Sequence, residues 1–340
     1  MNGRSLVRVP LWLLLSAIFT FGCFASYGDR LPEFQQCVQV SKGWSSSKNY
    51  ALIDKTCTLE NCHGGSFSIS LLHRILLWNC DSECDYTCQH IITAERTSAS
   101  KPVVQFHGKW PFYRFLGIQE PFSVLFSFLN LLAHQKGLAK LMNYIPASYP
   151  MRRYYIMFAY IGMASWTFSM LFHTRDFKLT EQLDYFAAGG SILYGLYYTP
   201  IRIFRMDQGI KEKSSLLRAW TSVCIIMYVV HVTYLKLYRW DYTYNMAANV
   251  VVGVIHNAMW SWFSFKRYRK LGTFWAIWPG IAVAWILMAM SLELLDFPPL
   301  WGCLDAHSLW HMGTIGPTIL WYNFLLKDAE EDMATHRLKA

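Results

Sequence analysis

Seven apolar runs, most of them near 20 residues long, fill the last two-thirds of this 340-residue chain. They lie near 119–134, 154–173, 183–203, 216–235, 246–265, 272–293 and 307–326. Roughly 20 apolar residues is the length that crosses a bilayer as a helix. In hydrocarbon, a backbone satisfies its own hydrogen bonds only in helices or closed barrels, and barrel strands are about half this length. The expected fold is an all-α membrane protein with seven transmembrane helices. The mean hydropathy of +0.19 is modest because the first third of the chain is polar and cysteine-bearing.

That first third begins as a secretory signal over residues 1–26. Arg4 and Arg8 supply the basic end, Leu11 to Phe21 the apolar core, and Cys23-Phe-Ala25-Ser26 the small residues suited to cleavage. An uncleaved anchor helix is the alternative. Residues 27–117 then read as a small luminal domain with Cys37, Cys57, Cys62, Cys80, Cys84 and Cys88. An even set of cysteines behind a signal implies disulfides in an oxidising compartment, stapling a domain with little apolar core. Their connectivity stays open. Zinc binding by Cys80, Cys84 and Cys88 with His63 or His90 is the rival reading, and the oxidising context disfavours it. Ser41 to Ser47 reads as a polar loop.

The net charge of +9 would suit a nucleic-acid partner if it were clustered, but its placement follows the loops. The connections after the first, third and fifth runs, with the run ends that flank them, hold 13 basic residues, from Lys136 to Lys270; the alternate connections hold 4. Positive charge collects on the cytosolic side. The cysteine-rich domain is then luminal, as its signal requires. Residues 118–326 form the membrane domain and 327–340 a cytosolic tail. No nucleic acid is expected as a partner.

This orientation brings five residues to one luminal depth. Ser169-Met-Leu-Phe-His173 ends the second run, Asp184 begins the third, and His307-Ser-Leu-Trp-His311 begins the seventh. Residues i and i+4 share a helix face. Each histidine alone is ordinarily a satisfied interface residue. Three at one depth, with two i,i+4 pairs, point instead to a metal site. Three imidazoles plus an open position form the donor set of a catalytic zinc centre, in which the pKa of a bound water falls. Asp184 is assigned to a water's proton or to a ligand imidazole's tautomer. Ser169 is assigned a hydrogen bond to the oxyanion or the water. Their plainer roles are a helix N-terminal carboxylate and a packing serine. Arg175 reads as a solvated loop charge, with contact to a lipid phosphate as the alternative. Asp296 and Asp305 read as loop-ordering groups, and His231 and His256 as structural.

Ser-x3-His, an aspartate 11 residues after that histidine, and a late His-x3-His resemble the signature of the CREST superfamily of seven-span membrane hydrolases. More specific strings are similar to the post-GPI-attachment-to-proteins factor 3 family. They are Gln105-Phe-His-Gly-Lys-Trp-Pro-Phe112, Phe172-His-Thr-Arg-Asp176, Leu183-Asp-Tyr-Phe186, Leu295-Asp-Phe-Pro-Pro299 and Leu304-Asp-Ala-His-Ser-Leu-Trp-His311. The resemblance covers nearly all of the chain after the signal, although the Cys37–Cys57 interval looks long for the family. It implies a CREST-type bundle in the membrane of the endoplasmic reticulum or Golgi. Its implied activity is hydrolysis of the sn-2 acyl ester in the phosphatidylinositol of GPI-anchored proteins. It further implies zinc on His173, His307 and His311, assisted by Asp184 and Ser169. Trp166 and Phe172 are candidates to line an acyl groove. The rivals are a non-catalytic receptor or cargo chaperone, a divalent-cation transporter, and a ceramidase-like amidase. A transporter needs polar groups through the full membrane depth, whereas this polar cluster sits at one end. An amidase of that kind predicts no large cysteine-rich luminal domain.

Overall fold

The computed structural model describes residues 26–41, 70–293 and 295–337. The signal, most of the Ser41–Ser47 stretch, Cys57 and Cys62 lie outside the described residues. Among the described residues the chain is helical, with only isolated β-bridges. The helices are α1 (Pro32–Ser41), α2 (Leu71–Ile75), α3 (Cys80–Ser98), α4 (Pro121–Tyr144), α5 (Arg152–Thr174), α6 (Lys178–Ile203), α7 (Lys211–Thr233), α8 (Tyr242–Leu271), α9 (Trp278–Glu293) and α10 (Ala306–Arg337). A short π-helical turn, Tyr234–Tyr238, extends α7.

Each of the seven apolar runs falls on one of α4 to α10. Three helices are long and apolar enough to cross a membrane by length and composition: Arg152–Thr174, Lys211–Tyr238 and Phe274–Glu293. The others carry more polar side chains. On α4 these include Ser123, Ser127, Asn130 and His134, all buried. The seventh apolar run is read as ending near 326. The helix instead continues to Arg337. Asp328 explains why: it is fully buried, pairs with Arg267 at 2.5 Å and accepts a hydrogen bond from Tyr155 at 3.2 Å. Asp332 accepts from Tyr149 at 3.1 Å.

Two compact units emerge. One comprises Ala188–Met259, holding the later turns of α6, all of α7 and most of α8. Within it Trp220 donates to the Tyr197 carbonyl at 2.8 Å, and Thr199 meets His256 at 3.1 Å.

The other unit comprises 25–187 and 260–340 and holds the candidate site. Here α4 packs on α5 and α10, and α9 packs on α10. Small residues permit the approach. A Cβ at Gly137 would collide with the Tyr322 ring, and one at Gly162 with the His134 imidazole. Those two neighbours bond each other at 2.7 Å. In the polar part of this unit, Cys37 and Cys88 form a disulfide that ties α1 to α3 through a core of Leu31, Phe34, Ile92 and Phe106. Cys80 and Cys84 are disulfide-bonded as well. Sulfurs so bonded are not thiolates and cannot ligate zinc, so the alternative zinc reading at Cys80, Cys84 and Cys88 fails.

Candidate metal centre

Helix α5 ends one residue after His173, and α10 begins one residue before His307. The start of α10 is fixed by a reciprocal cap. The Ser308 N–H donates to the Asp305 carboxylate at 2.9 Å, and the Asp305 N–H donates to the Ser308 hydroxyl at 3.0 Å. Asp305 therefore orders the loop and leaves the ligand face to His307 and His311, one turn apart. One ring nitrogen from each of His173, His307 and His311 lies within 4.8 Å of the others. The Nε2 atoms of His173 and His307 stand 3.4 Å apart. Two imidazoles this close must share a proton or a cation.

What the other ring nitrogens do decides the chemistry. His173 Nδ1 meets the Glu120 carboxylate at 2.7 Å. His307 Nδ1 meets the Glu293 carboxylate at 2.8 Å. His311 Nδ1 meets the Ser127 hydroxyl at 3.0 Å. An acceptor at Nδ1 holds the proton there and leaves the Nε2 lone pair free, the arrangement of metal-ligating histidines. The three rings could hold a metal ion, and three nitrogen donors suit zinc.

The supporting residues come from separate elements. Glu120 occupies the N-cap position of α4, with Pro121 at the first helical position, where a missing N–H costs nothing. Its own N–H donates to the His173 carbonyl at 3.0 Å, so backbone and side chain both bind that histidine. Lys109 pairs with Glu120 at 2.5 Å and with Asp176 at 3.1 Å. Burial lowers the Lys109 pKa, but these two carboxylates outweigh burial and hold it above the ordinary lysine value. A tight turn presents Lys109. Phe106 and Lys109 exchange both backbone hydrogen bonds while His107 and Gly108 take φ of +51° and +79°, the type I′ pattern that favours glycine at the second position.

Ser169 and Asp184 occupy different places relative to the rings. The buried Ser169 hydroxyl bonds that of Ser127 at 3.1 Å and so reaches His311 through it. Asp184, half-buried on α6, lies within electrostatic reach of His173 and His307. The rings are held by Glu120, Glu293 and Ser127, so the tautomer-holding option for Asp184 passes to those groups.

Arg175 is not a solvated loop charge. Its guanidinium sits 3.6 Å from the Trp78 ring centroid and 4.5 Å from that of Phe177. Of the two candidate groove residues, Trp166 meets His311 edge-on at 5.3 Å, while Phe172 is buried beside His173 under the Lys109 ammonium. Sequence reasoning missed Lys109, Glu120, Ser127 and Glu293. The available signal was position: Glu120 opens the first apolar run and Glu293 closes the sixth, where a carboxylate is costly without a partner.

A profile of the Per1-like family matches residues 70–329. The chain is 37% identical to a Schizosaccharomyces pombe protein named Protein PER1 homolog, over 99% of this chain and 98% of that protein. It is 35% identical to the Homo sapiens GPI-specific phospholipase A2-like PGAP3, over 89% of each. It is 37% identical to Post-GPI attachment to proteins factor 3 of Drosophila melanogaster, over 95% of this chain and 94% of that protein.

Proposed function

The chain belongs to the Per1-like family, and from that premise and the geometry of the site we propose that it is a membrane-embedded, metal-dependent hydrolase. Its substrate is the sn-2 acyl ester of the phosphatidylinositol in GPI-anchored proteins. Its products are a lyso-GPI protein and a fatty acid. The carrying observation is the set of three converging imidazoles, each with its second nitrogen held by a different group. That arrangement prepares three free lone pairs at a single point, and a packing cluster has no need of it.

His173, His307 and His311 would hold the metal. A zinc ion there supplies Lewis acidity, which polarises an ester carbonyl and acidifies water. The protein's own groups do the rest. Asp184, free of the task of holding rings, takes the proton from the attacking water as its oxygen bonds the acyl carbon. The acyl C–O bond then breaks, and Asp184 returns the proton to the departing glycerol oxygen. The Ser127–Ser169 hydroxyl pair fixes His311. A largely apolar groove of about 260 Å³ runs between α4 and α10, lined by Leu129, Leu132, Ala133, Ile315 and Ile319, with Lys136 and Lys140 at its cytosolic end. Ile315 and Ile319 stand one and two turns beyond His311, so an acyl chain entering the groove points its ester toward the rings. Helices α4 to α10 form the seven spans. The cysteine-rich domain and the site face the lumen of the endoplasmic reticulum or Golgi, and the C-terminus faces the cytosol, a reading that the loop charges support.

The test is turnover by the purified protein. Supplied with a GPI-anchored protein in detergent, it should release one fatty acid per anchor and leave a lyso-lipid, both read by mass spectrometry. His311→Ala and chelation should each abolish release. Tight GPI binding without release would favour the receptor reading instead.

A further inference from the structure

A second, polar cavity lies beside the histidine cluster. It has a volume of about 220 Å³ and is bounded by α3, the 106–119 loop and the connection from α5 to α6. Drug-sized pockets run roughly 300–1,000 Å³. This one suits a single ring with a substituent rather than an acyl chain.

Its charges are unevenly satisfied. Three cations line it: Lys109, Arg114 and Arg175. Lys109 is paired with Glu120 and Asp176. Arg114 is paired with Glu83 at 2.7 Å. Among the described residues Arg175 makes one hydrogen bond, 3.4 Å from Nη1 to the Asp176 main-chain oxygen, with the Asp176 and Glu83 carboxylates acting on it through space, and its buried Nε–H has no hydrogen-bond partner. A buried donor left unpaired is destabilising, because it loses its water without gaining a partner. The two guanidiniums also crowd one indole, with Arg114 at 3.2 Å and Arg175 at 3.6 Å from the Trp78 ring. Burial holds the Arg114 pKa down to about 10, and the neighbouring Arg175 guanidinium adds to the shift. An anion at Arg175 would relieve both faults. Nearby, Asp85 and Gln89 line the same cavity and bond each other at 2.8 Å, and the Asp85 carboxylate also meets His107 Nε2 at 3.1 Å, so a ring hydroxyl would share its remaining lone pairs. Such a carboxylate–amide pair is suited to ring hydroxyls.

Position ties the cavity to the chemistry. Arg175 follows His173 by two residues. Lys109 bridges the two places, with one bond to Asp176 on the cavity side and one to Glu120, which holds His173. In a glycerophospholipid the phosphate is only a few bonds from the sn-2 ester. A site that cleaves one must lie beside a place for the other.

We propose that this cavity is the headgroup subsite, which takes the phosphorylated cyclic polyol of the lipid: Arg175 donates to the phosphate, and Asp85 and Gln89 bond the ring hydroxyls. The proposal rests on the hydrolase reading only for the identity of the lipid. The subsite makes the enzyme selective, because a lipid lacking the ring loses the Asp85 and Gln89 contacts while keeping its acyl esters.

The experiment measures binding of glycerophosphoinositol to the full-length protein in detergent by ligand-observed NMR, with inorganic phosphate and free inositol as separate probes. Glycerophosphoinositol should bind at least tenfold more tightly than either probe alone. Arg175→Gln should weaken it at least tenfold, and Arg175→Lys less. Gln89→Leu should weaken glycerophosphoinositol but not phosphate. His307→Ala should leave binding intact while turnover is lost. Undiminished binding by both Arg175→Gln and Gln89→Leu overturns the subsite, as does phosphate binding as tightly as the whole headgroup. Absent turnover with headgroup binding preserved would sink the hydrolase reading and spare the subsite. Should Arg175→Gln not fold, Arg175→Lys and Gln89→Leu carry the test.

Discussion

Glu120→Gln should weaken metal binding more than Glu293→Gln, although both carboxylates hold a candidate ligand at nearly the same distance, 2.7 and 2.8 Å. Groups that orient metal-ligating histidines are typically worth 10–100-fold in metal affinity, or about 1.4–2.7 kcal/mol. Burial sorts the two within that range. The Glu120 and His173 side chains are 5% and 2% exposed, whereas those of Glu293 and His307 are 17% and 36% exposed. Water can replace part of what Glu293 gives and little of what Glu120 gives. Glutamine keeps the shape and an accepting oxygen but loses the charge, and a charge-assisted bond is roughly twice as strong as a neutral one. The expected losses are about 100-fold for Glu120→Gln and about 10-fold for Glu293→Gln. The two carboxylates hold different rings, so the double variant should be close to additive. Purified protein equilibrated against graded zinc buffers, with bound metal measured by mass spectrometry, gives both affinities. Thermal unfolding of the same samples separates lost affinity from lost fold. Equal affinities across wild type and both variants would refute the idea that these carboxylates set the ligands. A larger loss for Glu293→Gln would refute the burial argument alone.

Asp184→Asn should keep its metal and lose deacylation by about 10²–10⁴-fold, the usual worth of a positioned base; near-normal turnover would return Asp184 to a helix-terminal role. Cys37→Ala with Cys88→Ala should cost up to about 4 kcal/mol, the chain-entropy value for a loop of 51 residues, read as a fall in the denaturation midpoint. His90 should make the polar region acid-sensitive. Burial lowers its pKa from 6.5, helped by Arg114 and opposed by the Phe112 carbonyl. The unfolded chain then binds the proton first, so stability is intact above pH 6.5 and declines as pH falls through the folded value. His90→Gln should flatten that decline in thermal melts, and an unchanged slope would clear His90. Protease-site tags should be cut from the cytosol when placed after Ala340 and protected when placed after Ser100; the reverse pattern would overturn the orientation.

The helices were legible because each long apolar run lies on one helix, and three of those helices are long and apolar enough to cross a membrane. The extension of α10 beyond its apolar run was not legible in the same way. A run-length criterion stops where charge begins, at Lys327, but the charges beyond it are paired: Asp328 with Arg267 and Tyr155, and Asp332 with Tyr149. A charge that finds a partner across a helix interface prolongs a buried helix, and no single-segment pattern contains that partner. The disulfide pairing was illegible for a related reason. Cys37 and Cys88 are brought together by a core that only the folded chain assembles.

The candidate site shows the same division more sharply. Helical spacing alone brought His307 and His311 onto one face, and loop charge alone brought His173 to the same depth. Ser169, one turn from His173, reaches the His311 ring through the Ser127 hydroxyl, a link that spacing does not show. The residues that hold the rings share no helix with the rings they hold. Glu120 is 53 residues from His173, and Ser127 is 184 from His311. Their signature in sequence is not a motif but an energetic anomaly: a carboxylate at the edge of an apolar run, costly unless something nearby needs its charge. Glu120 and Glu293 both meet that description, and both turn out to face a histidine. Arg175 is the same kind of anomaly with the opposite sign, a guanidinium nitrogen buried beside the cluster without a hydrogen-bond partner. The two carboxylates are answered within the chain, and that difference is why Arg175 is assigned a ligand from outside it.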